Sequence, residues 1–119
     1  MSTHGARAER WNAARAYLTP HLASRANLKV ITGARARRIL FAGKRASGVE
    51  FRQGGEIHSL RARREVILSA GALQSPQLLM LSGIGAGAEL QEFGIPVIHD
   101  LPGVGKNLQD HPDYVFNYK

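Results

Sequence analysis

The stretch that determines the fold is ARARRILFAGKRASGVEFRQGGEIHSLR, residues 34–61. It contains three runs in which apolar and polar residues alternate, a pattern typical of strands with one buried face. The runs cover residues 34–41, 46–52 and 56–61. Two glycine-containing turns, AGK at 42–44 and QGG at 53–55, separate the runs. The sequence therefore predicts a three-stranded antiparallel meander.

Two shorter elements are predicted before the meander. Residues 10–18, RWNAARAYL, carry apolar side chains at helical spacing and predict a short amphipathic helix. Pro20 is expected to end this helix, because proline disrupts a helix interior. Residues 28–30 predict a short strand that stops at the Thr32-Gly33 turn.

After the meander the pattern changes to that of a buried strand and two helices. Residues 65–71, EVILSAG, form an apolar run that stops at small residues, which is typical of a strand buried on both faces in a parallel sheet. Ser75 is expected to cap the next helix, and Pro76 to occupy its first position. The remaining predictions are helices at residues 77–81 and 88–93 and a loop at residues 101–119.

Length and composition bound the class of protein. The 119 residues are one domain's worth at most, and 44% hydrophobic with 21% charged residues exclude a disordered or collagen-like chain. The absence of cysteine excludes a disulfide scaffold, a thiolate nucleophile and a cysteine zinc site. No apolar run approaches the ~20 residues that span a bilayer, and the N-terminus lacks the apolar core of an export signal. A cytoplasmic location is therefore expected.

The charge balance leaves two interpretations open. Sixteen Lys and Arg against nine Asp and Glu give a net charge of +7, and twelve of the sixteen are arginine. Such an excess is found on proteins that bind nucleic-acid phosphates. These arginines are scattered through strand-like segments, however, where charged side chains keep exposed strand edges solvated. The second interpretation is favoured, and no nucleic-acid partner is expected.

Residues 83–88, GIGAGA, satisfy the G-x-G-x-x-A pattern of dinucleotide-binding turns. A turn of that kind must follow a strand and open a helix, whereas this one follows the predicted helix at 77–81. We therefore expect the glycines to end one helix and to let the chain turn into the next.

His111 is the most prominent candidate for a general base, because Asp110 beside it could raise its basicity. Adjacent side chains rarely face one site, so we interpret Asp110 and Asn107 as loop residues that bind nearby backbone amides. The other histidines, at positions 4, 21, 58 and 99, lack metal-ligand spacing. The sequence therefore predicts neither a catalytic residue nor a metal site in this chain.

Residues 71–85, GALQSPQLLMLSGIG, resemble the second signature of the glucose-methanol-choline (GMC) flavoprotein oxidoreductases. The shared features are a small-residue start, a Ser-Pro pair, an apolar helix and a closing S-G-x-G at fixed spacing. The segments RWNAARAYL, NLKVITGARARRILF and LPGVGKNLQDHP are similar to the family's segments around the adenine strand and the loop into the substrate domain. The resemblance covers residues 10–119 and is closest to the choline dehydrogenase and membrane-associated alcohol dehydrogenase branch.

The resemblance implies an α+β fold, a fragment of an FAD-binding α/β (Rossmann-like) domain with an antiparallel β-meander on one side. It also implies FAD as the cofactor of a longer protein, called the parent below. In the family the backbone at the position of Ala36 contacts the flavin adenine. Ala70 and Gly71 correspond to a strand end that passes close to the ADP half of FAD. A tight strand-to-helix turn is the alternative interpretation of Ala70 and Gly71.

Within this resemblance, residues 1–119 would be a partial FAD-binding domain. The family's N-terminal fingerprint, which seats the pyrophosphate, and its C-terminal segment with the catalytic histidine have no counterpart in the sequence. The parent would oxidise a small alcohol by hydride transfer to flavin, and this chain alone is expected to be inactive. The alternatives are a basic nucleic-acid-binding module and a structural subunit completed by another chain. Association of the parent with the inner face of a membrane, and self-association of the chain through exposed strand edges, are two further options.

Overall fold

A computed structural model describes residues 11–116. The chain divides into two compact units, one that ends at Thr32 and one that begins at Gly33.

The first unit contains one continuous helical segment among its described residues. A π-helical turn, Ala14–Leu18, leads into the helix α1, Thr19–Leu22. The prediction that Pro20 ends the helix is wrong, because Pro20 lies in the first turn of α1. Amide groups in a first turn have no partner within their own helix, so a proline there loses no hydrogen bond of α1. Arg10, the first residue of the predicted helix, lies outside the described residues.

The prediction of a strand at residues 28–30 is also wrong. These residues form neither helix nor strand. The Leu28 amide instead donates to the carbonyl of Arg25 at 3.1 Å, as in a turn. A short alternating pattern becomes a strand only where a neighbour pairs with it, and no described strand pairs with this segment.

The second unit is built on the predicted meander, which is confirmed. Its strands are β1 (Arg35–Ala42), β2 (Arg45–Gln53) and β3 (Glu56–Arg61), paired antiparallel in the order β1-β2-β3. Gly43 and Gly54 lie at the two turns with φ of +60° and +58°. This left-handed conformation suits tight hairpins and favours glycine, which explains why the sequence marks the turns clearly.

The helix α2, Gln74–Leu81, follows the meander and begins earlier than predicted. Leu73, not Ser75, is the N-cap residue, and the Ser75 amide already donates to the carbonyl of Gly71 at 3.0 Å. The Ser75 hydroxyl accepts a hydrogen bond from the Ala70 amide at 3.0 Å. Ser75 therefore closes the turn that precedes α2 and does not cap the helix.

The buried strand predicted within residues 65–71 is absent. The segment has no regular secondary structure, and Ile67 is 79% exposed. A strand of a parallel sheet exists only with hydrogen-bonded neighbours, and none of the described strands pairs with this run. The apolar composition alone therefore does not determine the conformation here.

The chain then forms β4 (Ile84–Gly85), α3 (Gly87–Glu92) and β5 (His99–Asp100). The predicted helix at 88–93 is confirmed with a shift of one residue. The strands β4 and β5 pair in parallel over two residues, a pairing that the sequence did not indicate. Residues 101–116 contain no helix or strand, as predicted, and residues 117–119 lie outside the described part.

Among the described residues, the buried apolar side chains are those of Ile39, Phe51, Leu78 and Leu90. Ser82 is buried with them and connects α2 to the sheet. Its hydroxyl donates to the Leu78 carbonyl and accepts from the Ile39 amide at 2.8 Å. The meander and α2 are thus held together by apolar contact and one buried hydroxyl. Among residues 11–116, none of the helices could span a lipid bilayer.

Candidate functional site

A groove of about 770 Å³ lies beside the first half of β1 and α2. It lies within the second unit and is open to solvent. Its lining residues are Ala34, Arg35, Ala36, Arg37, Arg52, Ala70, Gln74, Gln77, Leu78 and Leu81.

Two of the three residues that the family resemblance singled out line this groove. Ala36 lies on β1 and Ala70 lies before α2, so the fold brings together positions far apart in sequence. Gly71 is not among the lining residues. Its φ of +93° lies in a region that favours glycine, so the backbone conformation alone explains why a glycine occurs there.

The elements that carry Ala36 and Ala70 are fixed by specific contacts. Among the described strands, β1 pairs with β2 alone, with Ala36 opposite Phe51. An edge strand leaves alternate backbone groups without a strand partner, and such groups can hydrogen-bond a ligand. The Ala70 amide is held by the Ser75 hydroxyl, while Ser82 holds the far end of α2 against β1.

A β-bulge positions the arginines beside the groove. Ala36 pairs with Phe51 and Arg38 pairs with Glu50, so Arg37 is an extra residue in β1. Arg37 and Arg38 both reach the Glu50 carboxylate, at 3.5 and 2.9 Å. The single carboxylate is thereby shared by two guanidinium groups.

The groove itself carries a net positive charge. Arg35, Arg37 and Arg52 line it, and none of its lining residues is acidic. Arg52 donates from Nε to the carbonyl of Gly55 at 3.2 Å, and no carboxylate among residues 11–116 forms an ion pair with it. The groove therefore combines an apolar wall with a cationic side.

The glycine-rich segment 83–88 connects α2 to α3, as predicted, and it contains the short strand β4. Gly83 follows α2 with φ of +86°, and its carbonyl accepts from the Ile98 amide at 2.8 Å. A Cβ at Gly83 would overlap the carbonyl oxygen of Pro96. The first amide of α3, from Gly87, donates to the Asp100 carboxylate at 2.8 Å. These glycines allow the chain to reverse direction and neighbouring backbone segments to pack closely.

The Asp110 carboxylate accepts from the backbone amide of His111 at 2.8 Å. This confirms that Asp110 binds a nearby amide. Asn107 adopts φ of +56°, as asparagine does more readily than most residues in loops. Over residues 11–116, no group of three or more histidine or acidic side chains could hold a metal ion.

Sequence reasoning missed the polar lining of the groove. Gln74 and Gln77 lie on α2 with the spacing that places both on one helix face, a signal the sequence did contain. Arg35 and Arg52 could have been placed together from the hairpin register, since Arg35 pairs with Arg52. Arg37 could not, because its position depends on the bulge.

With the groove and its surroundings defined, comparison with known proteins identifies the family. The model of the GMC oxidoreductase family matches residues 1–113. The chain belongs to the GMC oxidoreductases. This confirms the resemblance seen at residues 71–85, together with the predicted α+β fold.

Individual GMC relatives agree with the family assignment. The chain is 57% identical over 102 residues to the oxygen-dependent choline dehydrogenase of Brucella anthropi, covering 86% of this chain and 18% of that protein. It is 57% identical over 103 residues to the mitochondrial choline dehydrogenase of Homo sapiens, covering 87% and 17%. The chain thus spans less than a fifth of the length of these GMC proteins.

Solved structures of the family share the fold. Pyridoxine 4-oxidase from Mesorbium loti aligns with a TM-score of 0.71 at 38% identity, covering 78% of this chain and 18% of that one. An FAD-dependent oxidoreductase from Chaetomium thermophilum aligns with a TM-score of 0.70 at 41% identity, covering 76% and 16%.

Proposed function

We propose that the groove receives the adenine end of FAD, and that the parent oxidises an alcohol by hydride transfer to the flavin. The observation that carries this proposal is the convergence of Ala36 and Ala70 on one groove. These two positions follow from the family resemblance, and the groove follows from the geometry. The two lines of reasoning are independent.

The residues of the groove fit the adenine end of a dinucleotide. Its volume of about 770 Å³ lies within the usual range for small-molecule sites. The small side chains of Ala34, Ala36 and Ala70 let a flat ring approach the backbone. Leu78 and Leu81 offer apolar contact to the ring. The amide side chains of Gln74 and Gln77 can donate and accept hydrogen bonds at the edge of the ring.

The role of this chain is to bind and orient. FAD, when bound, supplies the acceptor for the hydride. The lining residues include no histidine or carboxylate that could take the hydroxyl proton of an alcohol. Ala36 would fix one edge of the adenine, while Leu78 would exclude water from one face. Proton transfer would be carried out by the rest of the parent.

The alcohol that we propose first is choline, because the two curated relatives compared above are named choline dehydrogenases. We also propose that the parent is cytoplasmic, with the inner face of a membrane as the alternative location. This chain alone should neither oxidise alcohols nor hold FAD tightly. Backbone hydrogen bonds contribute about 1 kcal/mol each, well short of the ~8 kcal/mol needed for micromolar affinity.

The proposal is tested on the protein encoded by the complete reading frame. The purified protein should contain flavin, and anaerobic addition of an alcohol should bleach the flavin absorbance. Ala70→Asp places a carboxylate in the groove and should reduce the flavin content. Ala88→Asp, on the exposed face of α3, is the matched control and should not. A protein without flavin, or equal loss in both variants, would refute the assignment.

A further inference from the structure

Ala70, which lines the groove, lies at the end of a stretch with few hydrogen bonds. Residues 63–70 contain no helix or strand. Within the described part of the chain, one hydrogen bond involves these residues, in which the Ala70 amide donates to the Ser75 hydroxyl at 3.0 Å. The position of Ala70 in the groove therefore depends on a side chain five residues further along the chain.

Ser75 joins Ala70 to α2 through two hydrogen bonds that close a tight turn. The Ser75 amide donates to the carbonyl of Gly71 at 3.0 Å, while the Ser75 hydroxyl accepts from the Ala70 amide. Gly71, with φ of +93°, lets the chain reverse between these two bonds. Ala70 is thereby fixed relative to α2, the helix that contributes Gln77 and Leu78 to the same groove.

The Ser75 hydroxyl does this without lining the groove. Ser75 is half-buried and is not among the lining residues. It does not cap α2 either, because the N-cap residue is Leu73. The Ala70 amide is exposed, so water can replace the hydroxyl as its acceptor at little cost in folding free energy. Removal of the hydroxyl should therefore release Ala70 without unfolding the second unit.

We infer that Ser75 is a positioning residue of the groove, whose hydroxyl holds Ala70 in place for the adenine ring. The inference rests on the proposed function, since that function places the ring at Ala70. It deepens the function because it identifies a residue that controls the site without contacting the ligand. A wall that is fixed before binding needs no ordering when the ring arrives, and this saves binding free energy.

The test is a titration of the complete 119-residue chain with adenosine, followed by amide-resolved NMR. Ser75→Ala should raise the dissociation constant about three- to tenfold, the range that one net hydrogen bond can supply. The shift of the Ala70 amide at saturation should become smaller, while that of the Ala36 amide on β1 should remain. Ser75→Thr keeps the hydroxyl and should bind adenosine as the wild-type chain does.

Ser59→Ala is the matched control. Ser59 is an exposed serine of β3 that does not line the groove, so the same substitution there should leave the affinity for adenosine unchanged. Thermal melting followed by circular dichroism should give similar midpoints for the wild-type chain, Ser75→Ala and Ser59→Ala. A much lower midpoint for Ser75→Ala alone would assign its hydroxyl to the stability of the fold and overturn the positioning role.

Hydrogen exchange in the wild-type chain tests the same bond without a variant. The Ala70 amide should exchange about tenfold more slowly than the neighbouring Ser69 amide, because the Ser69 amide donates no hydrogen bond to any described residue. Equally fast exchange of the two amides would show that Ser75 does not hold Ala70, and would overturn the inference.

Failure of this inference and failure of the proposed function give different results. If the wild-type chain and Ser75→Ala bind adenosine equally tightly, the positioning role is wrong and the adenine groove stands. Equal weakening in Ser75→Ala and Ser75→Thr would also overturn the positioning role, because the hydroxyl would then not be the group that matters. A wild-type chain that does not bind adenosine would overturn the proposed function, and the positioning role with it.

Discussion

Ser82 is the buried hydroxyl that joins α2 to β1. Its hydroxyl oxygen accepts from the Ile39 amide, and its O–H donates to the Leu78 carbonyl. Ser82→Ala would leave a buried amide without an acceptor, so we expect the free energy of unfolding to fall by about 1–3 kcal/mol. Urea denaturation measures this free energy of unfolding. Ser59→Ala, at an exposed position of β3, is the control and should change it little. A similar effect of both substitutions would contradict the role assigned to Ser82.

His111 is the residue most easily mistaken for a catalytic base. Its backbone amide is held by Asp110, in a segment without regular secondary structure. We therefore expect His111→Ala in the parent to lower thermal stability or loop order. The rate of flavin reduction should fall by less than the ~100-fold typical of a lost general base. Anaerobic stopped-flow absorbance measures that rate, with Gln109→Ala as the neighbouring control. Loss of flavin reduction in a folded protein would make His111 catalytic.

Within the meander, Gly48 in β2 lies close to the backbone of β3. A Cβ there would overlap the carbonyl oxygen of Leu60 in β3. Gly48→Ala should therefore separate β2 from β3 and lower the free energy of unfolding by about 1–3 kcal/mol. Gly103→Ala is the control, because nothing lies within 4 Å of its added methyl group. Thermal melting of both variants should show a lower midpoint for Gly48→Ala alone.

At the level of elements, the sequence predicted what local chemistry determines. The meander was predicted to within a few residues, since glycines at positive φ mark its turns and alternation marks its strands. The run at 65–71 was misread because a parallel strand depends on neighbours that are remote in sequence. Pro20 was misread because the effect of a proline depends on its place in a helix.

The candidate site, like the fold, was predicted only in part. Ala36 and Ala70 were singled out from the family resemblance, and the fold brings both to one groove. The cationic side was not predicted. The hairpin register could have placed Arg52 opposite Arg35, but the place of Arg37 depends on a bulge. The composition shows an excess of arginine, but it does not show where the arginines lie in the fold.

For the molecule as a whole, the exposed surface predicts self-association. β3 is an edge strand with every residue exposed, and large apolar side chains such as Phe93 (80%) and Val115 (80%) are open to solvent. Such surfaces recruit partners through strand pairing and apolar contact. Light scattering should therefore detect species larger than 13.0 kDa. Leu60→Lys places a charge on the β3 edge and should reduce them, whereas a monodisperse wild-type monomer would contradict the prediction.

The central claim is that the groove beside β1 and α2 holds the adenine end of a dinucleotide. Titration of the isotope-labelled chain with adenosine, followed by amide-resolved NMR, tests it most directly. Saturable shifts should appear at the amides of Ala36 and Ala70, with weak affinity, while Gly103 stays unchanged. Adenosine that shifts neither the Ala36 nor the Ala70 amide would contradict the claim.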